Sequence, residues 1–441
     1  MKHVFLLIAA LAVLLPTPMP ALAARCAGPV CNMDRLAPWF AKLATARRGR
    51  GPAVHILQIG DSHTAGDAVT GAWRDLLQGR YGAGGRGVLA PGRPYDGYIT
   101  RGVTATMSTG WTIGATFGKN AATPRPPLGV SGFSMVANRP DATMTLRADS
   151  SGTMFDRFVL CAIAGPNAGS VTVSFDGAEP SRIDFTTPDV RPLCRSVTTE
   201  TPHTSVSIAA EFPGLVLTSW ATFRGGNGGV VLSNVGVVGS QLQHFARTDD
   251  MVISEEMNAY LPDLIVLAFG TNEGFSPKFD ALAYETTLRG QISRLQRLSG
   301  GVPILLLGAP DALTRNAALR GNAPGLPLEC EAAPAFLAPA VPRDAMVQPL
   351  PGATTAAPKG PLFAPPALAD VRRIQRQVAG DMGLAYWDWQ SRMGGPCTAR
   401  DWVQRPVPLM RADYVHFKSG GGQEIARLLQ ADLDAAMANA R

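Results

Sequence analysis

Ser62 sits in "HILQIGDSHTAGD" (residues 55–67), where an apolar run stops at Gly60 and an acid, a hydroxyl and an imidazole follow in consecutive positions. Far along the chain, "DYVH" places Asp413 three residues before His416. A serine hydroxyl is a weak nucleophile until a base takes its proton. An imidazole is such a base when a carboxylate holds its other nitrogen in one tautomer, and Asp413 can reach Nδ1 of His416 across a single turn. Attack on a carbonyl also builds negative charge on oxygen, which calls for preorganised donors. The backbone N–H groups of Ser62 and Gly239 and the side-chain amide of Asn272, in "GTN" (270–272), meet that need. The chemistry these residues point to is acyl transfer. Ser62, Asp413 and His416 are the catalytic candidates, and Ser62, Gly239 and Asn272 form the candidate oxyanion hole. The scheme requires neither cofactor nor metal.

Each residue also has an ordinary explanation. Asp and Ser cap helices for reasons of hydrogen bonding alone, so Ser62 in isolation reads as a cap or turn residue. Asn272 in isolation is a turn residue that tolerates a left-handed backbone. Gly236 competes with Gly239 as the glycine of its block. His63 either touches substrate or is a hydrogen-bonded structural histidine, the second reading being favoured; His55 and His244 read as structural. Trp111 and Trp220 could stack on sugar rings, but core packing suits them better.

Positioning these groups falls to the elements around them. "VHILQI" reads as a strand over 54–59, followed by a helix over 67–78 with Val69, Trp73, Leu76 and Leu77 on one face. Glycine-rich loops occupy 79–102. From Thr104 the texture changes to short segments such as "ATMTLRA", "SVTVSFDG" and "GLVLTSWATF", separated by Gly, Pro and Asp, which suggests an antiparallel sandwich inserted over 104–229. Apolar strands then return at 230–239, within 263–274, where the strand runs into a polar turn, and at 302–310, with helices from Ser240 and over 281–298. Such continuous runs suit a parallel sheet covered on both faces. The segment 324–366 holds 11 prolines and reads as an extended loop. A helix over 367–382, a strand over 384–389 and a helix from Gly422 complete the pattern. In an open α/β sheet the carboxyl ends of parallel strands form the crevice where ligands bind, so Ser62, Gly239, Asn272 and the 413–416 motif can converge.

The chain of 441 residues is long enough for two domains or for one with a large insertion. Lys2 and His3 precede an apolar run over 4–15, and Ala21–Leu22–Ala23 forms an A-x-A site, so residues 1–23 read as a cleavable secretory signal. Arg25 before Cys26 argues against a lipid-modified cysteine, and no later segment has the length of a transmembrane helix. An even count of six cysteines in an exported chain reads as disulfides, with 15 connectivities open. Sequential pairing, 26–31, 161–194 and 330–397, keeps each bridge within one structural region. The net charge of +6, without Lys/Arg runs, suits an anionic cell-envelope polymer better than nucleic acid.

The blocks G-D-S (60–62), the glycine at 239, G-T-N (270–272) and D-x-x-H (413–416), in this order and each after an apolar strand, resemble those of the SGNH or GDSL-type hydrolases. "QIGDSHTAGD", "STGWT" (108–112) and the β-rich insertion are most similar to periplasmic peptidoglycan O-acetylesterases with a carbohydrate-binding-module-like insertion. The resemblance implies a three-layer α/β/α fold with a parallel central sheet. It divides the chain into a hydrolase domain over 24–103 and 230–441 and an inserted β-sandwich over 104–229. It also implies a periplasmic serine esterase that removes O-acetyl groups from peptidoglycan. His63 departs from the Leu of the usual G-D-S-L. Three alternatives stand beside this reading: a carbohydrate O-acetyltransferase of the same fold, a general lipid esterase, and a glycan-binding envelope protein with an inactive hydrolase domain. The expected partner is an O-acetylated glycan, with no nucleic acid and no stable membrane insertion.

Overall fold

All seven residues of the strand Val54–Gly60 are buried, as a strand covered on both faces requires. In the computed structural model it lies near one edge of a seven-stranded sheet ordered 26–27, 30–31, 385–387, 304–307, 264–268, 54–60, 230–236. The five strands from 385–387 to 230–236 pair in parallel, and the two short N-terminal strands add antiparallel pairs at the far edge. The structure describes residues 25–46, 51–121, 125–225, 228–321, 328–330 and 360–439. The expected signal segment and most of the Pro-rich loop lie outside them.

Alternate residues along the strands feed two separate apolar clusters, as the two-residue period of a strand dictates. Ile56, Leu232, Val266 and Leu305 join Trp39, Trp73 and Leu429 from the helices Ala37–Ala46, Ala68–Tyr81 and Ser419–Asn439. Leu57, Val231, Ile265 and Leu306 join Ile253, Ile292 and Ile374 from the helices Asp250–Tyr260, Ala281–Leu298 and Pro366–Asp381. Leu76 departs from the expected helix face: it is 43% exposed, while Val69, Trp73 and Leu77 are buried.

Residues 87–223 contribute the remaining strands, in antiparallel sheets of five and six. Their inward side chains, among them Met144, Leu146, Phe158, Val173 and Trp220, share one further apolar cluster. Trp111 and Trp220 are buried within it, as core residues. The segment expected to be loop over 79–102 contains a strand, Gly87–Leu89, that pairs with Val216–Phe223. Its alternation is too short to stand out among glycines. The chain leaves and re-enters the parallel sheet at adjacent points. Gly84 N–H donates to Val230 O, Val230 N–H to Gly82 O, and Arg224 N–H to Gly84 O. The cysteines pair as 26–31, 161–194 and 330–397. Among the described residues no helix is long and apolar enough to cross a membrane.

Candidate active site

The turn after the strand Val54–Gly60 is built around close approach. A side chain at Gly60 would meet the Ala268 carbonyl oxygen at 2.4 Å, and one at Gly236 would meet Ala65 N at 2.4 Å. Gly236 is therefore a packing glycine that lets the short helix Ser62–Ala65 lie against the end of strand Val230–Gly236. Asp61 caps that helix through the His63 N–H at 2.9 Å, which leaves Ser62 at its first position. Asp61 alone takes the cap role, and the serine side chain is free for another use.

That use is a contact across the molecule. Ser62 Oγ lies 3.0 Å from His416 Nε2, and His416 Nδ1 lies 2.8 Å from Asp413 Oδ2. A carboxylate only accepts, so Nδ1 carries a hydrogen, and in the neutral ring Nε2 then presents its lone pair to the serine hydroxyl. Tyr414 adopts φ +60, in the left-handed region. This folds the 413–416 loop so that Asp413 Oδ1 also accepts from the Val415 and His416 N–H groups at 2.9 and 3.0 Å. Burial opposes ionisation of Asp413, but the His416 bond and charge, with those backbone donors, hold its carboxyl below the usual carboxylate range.

The three candidate oxyanion donors differ in their engagement. Among the described residues neither the Ser62 N–H nor the Gly239 N–H has an acceptor. Gly239 adopts φ +76, a conformation that favours glycine. Asn272 Nδ2 donates to the Ser240 carbonyl at 2.9 Å, which commits one of its two hydrogens and leaves the second. The loop carrying Gly239 is braced by the same segment: Gln241 Nε2 donates to Asn272 O at 2.9 Å, and Leu242 N–H to Glu273 Oε1 at 2.7 Å. Burial pushes the Glu273 carboxyl up to about 7. A hydroxyl, an imidazole, a carboxylate and amide donors are the group types that acyl transfer demands.

The other histidines are engaged in packing. His55 bonds the Tyr260 carbonyl and Ser233 Oγ, and burial pulls its pKa down to about 4. His244 accepts from the Gln241 N–H and stacks on Phe117 at 4.3 Å; burial brings it to about 4. His63 is buried with both ring nitrogens bonded, to Asp61 and to the Val415 carbonyl. Phe117, beside Gly239, and the bracing residues Gln241 and Glu273 escaped the sequence reading. Only the adjacency of Glu273 to Asn272 in "GTNEG" hinted at them. Among the described residues no group of three or more His, Cys, Asp or Glu side chains is placed to hold a metal ion.

No family model and no curated protein sequence matches the chain. Among solved structures it is similar to a peptidoglycan O-acetylesterase over 93% of its own length and 100% of that chain, with TM-score 0.71 and 22% identity. At that identity the likeness establishes a shared α/β fold. Two further similarities carry no weight here. An acetyl xylan esterase matches at TM-score 0.29 and 16% identity, over 46% of this chain and 81% of that one. A family two carbohydrate esterase from Cellvibrio japonicus matches at 0.26 and 13%, over 76% and 98%.

Proposed function

We propose that this chain is an exported serine esterase that removes O-acetyl groups from a cell-envelope carbohydrate, peptidoglycan foremost, through an acetyl-Ser62 intermediate. The observation that carries the reading is the continuous hydrogen-bonded line from Ser62 Oγ through the His416 ring to Asp413. In this reaction Ser62 Oγ attacks the acetyl carbonyl while His416 Nε2 takes its proton. The oxyanion is held by the N–H groups of Ser62 and Gly239 and by the free amide hydrogen of Asn272. Collapse expels the sugar oxygen, which takes the proton back from His416. Water then attacks the acetyl-enzyme with His416 as base, releasing acetate and restoring the serine.

Three further points support the substrate class. The fold likeness to a peptidoglycan O-acetylesterase spans nearly the whole chain. Three disulfides suit an oxidising compartment outside the cytoplasm. The antiparallel strands, read as a β-sandwich inserted over 104–229 into a three-layer hydrolase domain, would give a second surface for a glycan. The deciding experiment measures acetate released from O-acetylated and de-acetylated sacculi. Release from the first alone, lost in Ser62→Ala, is expected. Release that persists in Ser62→Ala overturns the mechanism, and acetylated sugar products in place of acetate would assign the chain to acetyl transfer.

A further inference from the structure

His63 is a side chain that this chemistry leaves unused, yet it touches the neighbours of both reacting groups. Its Nδ1 lies 3.2 Å from Asp61 Oδ1 and its Nε2 3.0 Å from the Val415 carbonyl oxygen. A carboxylate and a carbonyl offer only lone pairs, so each contact needs a hydrogen on the ring. A neutral imidazole carries one N–H and satisfies one contact; the ring that satisfies both is an imidazolium with Asp61 as counter-ion. Its surroundings are closed. The His416 ring stacks on it at 5.5 Å and 28°, and Trp389 and Phe417 pack edgewise at 5.7 and 5.6 Å. The charged and titratable groups that face it are Asp61 from the turn before Ser62, and Asp413 and His416 from the 413–416 loop. The helix Trp389–Met393 brings only an aromatic face to this contact. Burial works against charge on the ring, but the bond and charge of Asp61 outweigh it, so the His63 pKa stands above the usual histidine value.

We propose that His63 is a positioning residue for ester cleavage: doubly protonated, it ties the Val415 carbonyl to Asp61 and so holds the loop of the base against the turn of the nucleophile. The proposal rests on Ser62 and His416 acting as nucleophile and base. Asp61 immediately precedes Ser62, and Val415 immediately precedes His416. One ring therefore joins two segments whose reacting residues stand 354 positions apart. Loss of the Nε2 hydrogen releases the Val415 carbonyl, and loss of the Nδ1 hydrogen turns a lone pair toward Asp61. The clamp is complete below the raised pKa of His63 and opens as pH rises through it. Turnover then falls on the alkaline side while KM holds, because the base drifts from the hydroxyl and the substrate cleft does not change.

The ring is read directly by 15N NMR of the histidine-labelled full chain. Two protonated nitrogens on His63 at pH 6 are expected, and a single-proton tautomer overturns the proposal. Hydrolysis of 4-nitrophenyl acetate reads the consequence. His63→Gln keeps a donor toward Val415 without a titrating ring, and is expected to retain kcat within about tenfold and to lose the alkaline limb. His63→Leu removes both bonds and is expected to lose about 10²-fold in kcat with KM little changed, the scale of a 1 Å misplacement. Wild-type kcat and pH profile in both variants overturn the clamp. Should His63→Leu fail to fold, His63→Gln and the NMR measurement still decide. Absence of ester cleavage by the wild-type chain would remove the parent reading, whereas normal cleavage with insensitive His63 variants removes only the clamp.

Discussion

Val54–Gly60 and Thr143–Ala148 are both strands, yet the first buries every residue while the second alternates, with Met144 and Leu146 inside and Thr143 and Arg147 exposed. The contrast extends to what surrounds them. Around the first, buried polar groups gather: Asp61, His63, Asp67, Arg74, Asn234, Asn272 and Glu273. The cluster within the antiparallel sheets is apolar throughout, with Phe155, Phe158, Leu160 and Trp220 fully buried. Burying a polar group costs free energy unless hydrogen bonds offset it. The parallel sheet carries that cost in a bonded network, as Asp67 does with Arg74, Arg86 and Thr70. The antiparallel region buries hydroxyls instead of ion pairs: Ser131 Oγ donates to Thr218 O, and Thr218 and Ser219 both donate to Glu256. Buried charges gather in one region, and in the other the apolar packing is joined by the Cys161–Cys194 disulfide.

Substitutions in the two regions should therefore fail in different ways. The largest effect is expected from Ser62→Ala, a loss of roughly 10⁴–10⁶ in kcat with the melting temperature unchanged. A parallel fall in stability would blur the division. Phe158→Ala, in the antiparallel cluster, should cost about 3–5 kcal/mol in denaturant unfolding while kcat per folded molecule stays at the wild-type value. Asn272→Ala should lower kcat by about 10²–10³. Because Asn272 Nδ2 also bonds Ser240 O, a small loss of stability should accompany it. Glu273→Gln gives the smallest and most diagnostic change. A carboxyl whose folded pKa is raised from 4.5 to about 7 favours folding below pH 4.5 relative to higher pH. That contribution is lost as pH rises from 4.5 through 7, by roughly 3 kcal/mol. The amide, which can still accept from Leu242 N–H, should flatten this dependence, so the variant gains on the wild type between pH 5 and pH 8 in urea titrations. An unchanged difference would place the charge of Glu273 outside the stability balance.

Much of the parallel sheet was legible because its signals are local. The helix 281–298 coincides with its expected bounds, since an amphipathic period and the Asp280 cap both lie in the sequence itself. Ser62 and Asn272 were legible as polar residues shortly after apolar runs, and both follow strands of the parallel sheet; the 413–416 motif follows the helix Thr398–Gln404 instead and meets Ser62 through His416. The Leu76 expectation failed because helical periodicity marks a stripe but not its width: Val69, Trp73, Leu77 and Tyr81 are buried on this helix, and Leu76 lies beyond the edge of that face. That His63 is hydrogen-bonded was legible, but its distant partner was not. Asp61 is two positions away, but the Val415 carbonyl is 352 away, and no spacing rule connects them. The bracing of the Gly239 loop by Asn272 and Glu273 was hidden for the same reason.

The hydrogen bonds that join Gly82 and Gly84 to Val230 have a kinetic meaning. Strand Val230–Gly236 must find Val54–Gly60 with the whole antiparallel region strung between them, and closing so long a loop from an unfolded chain is entropically slow. Once that region has formed, its two ends stand side by side at Gly84 and Arg224, and the search shrinks to a few residues. Assembly from the inside outward follows: amides of Phe155–Ala164 should gain protection in pulsed hydrogen exchange before those of Val230–Gly236. The turn that carries Ser62 would then be completed only after the antiparallel region is in place.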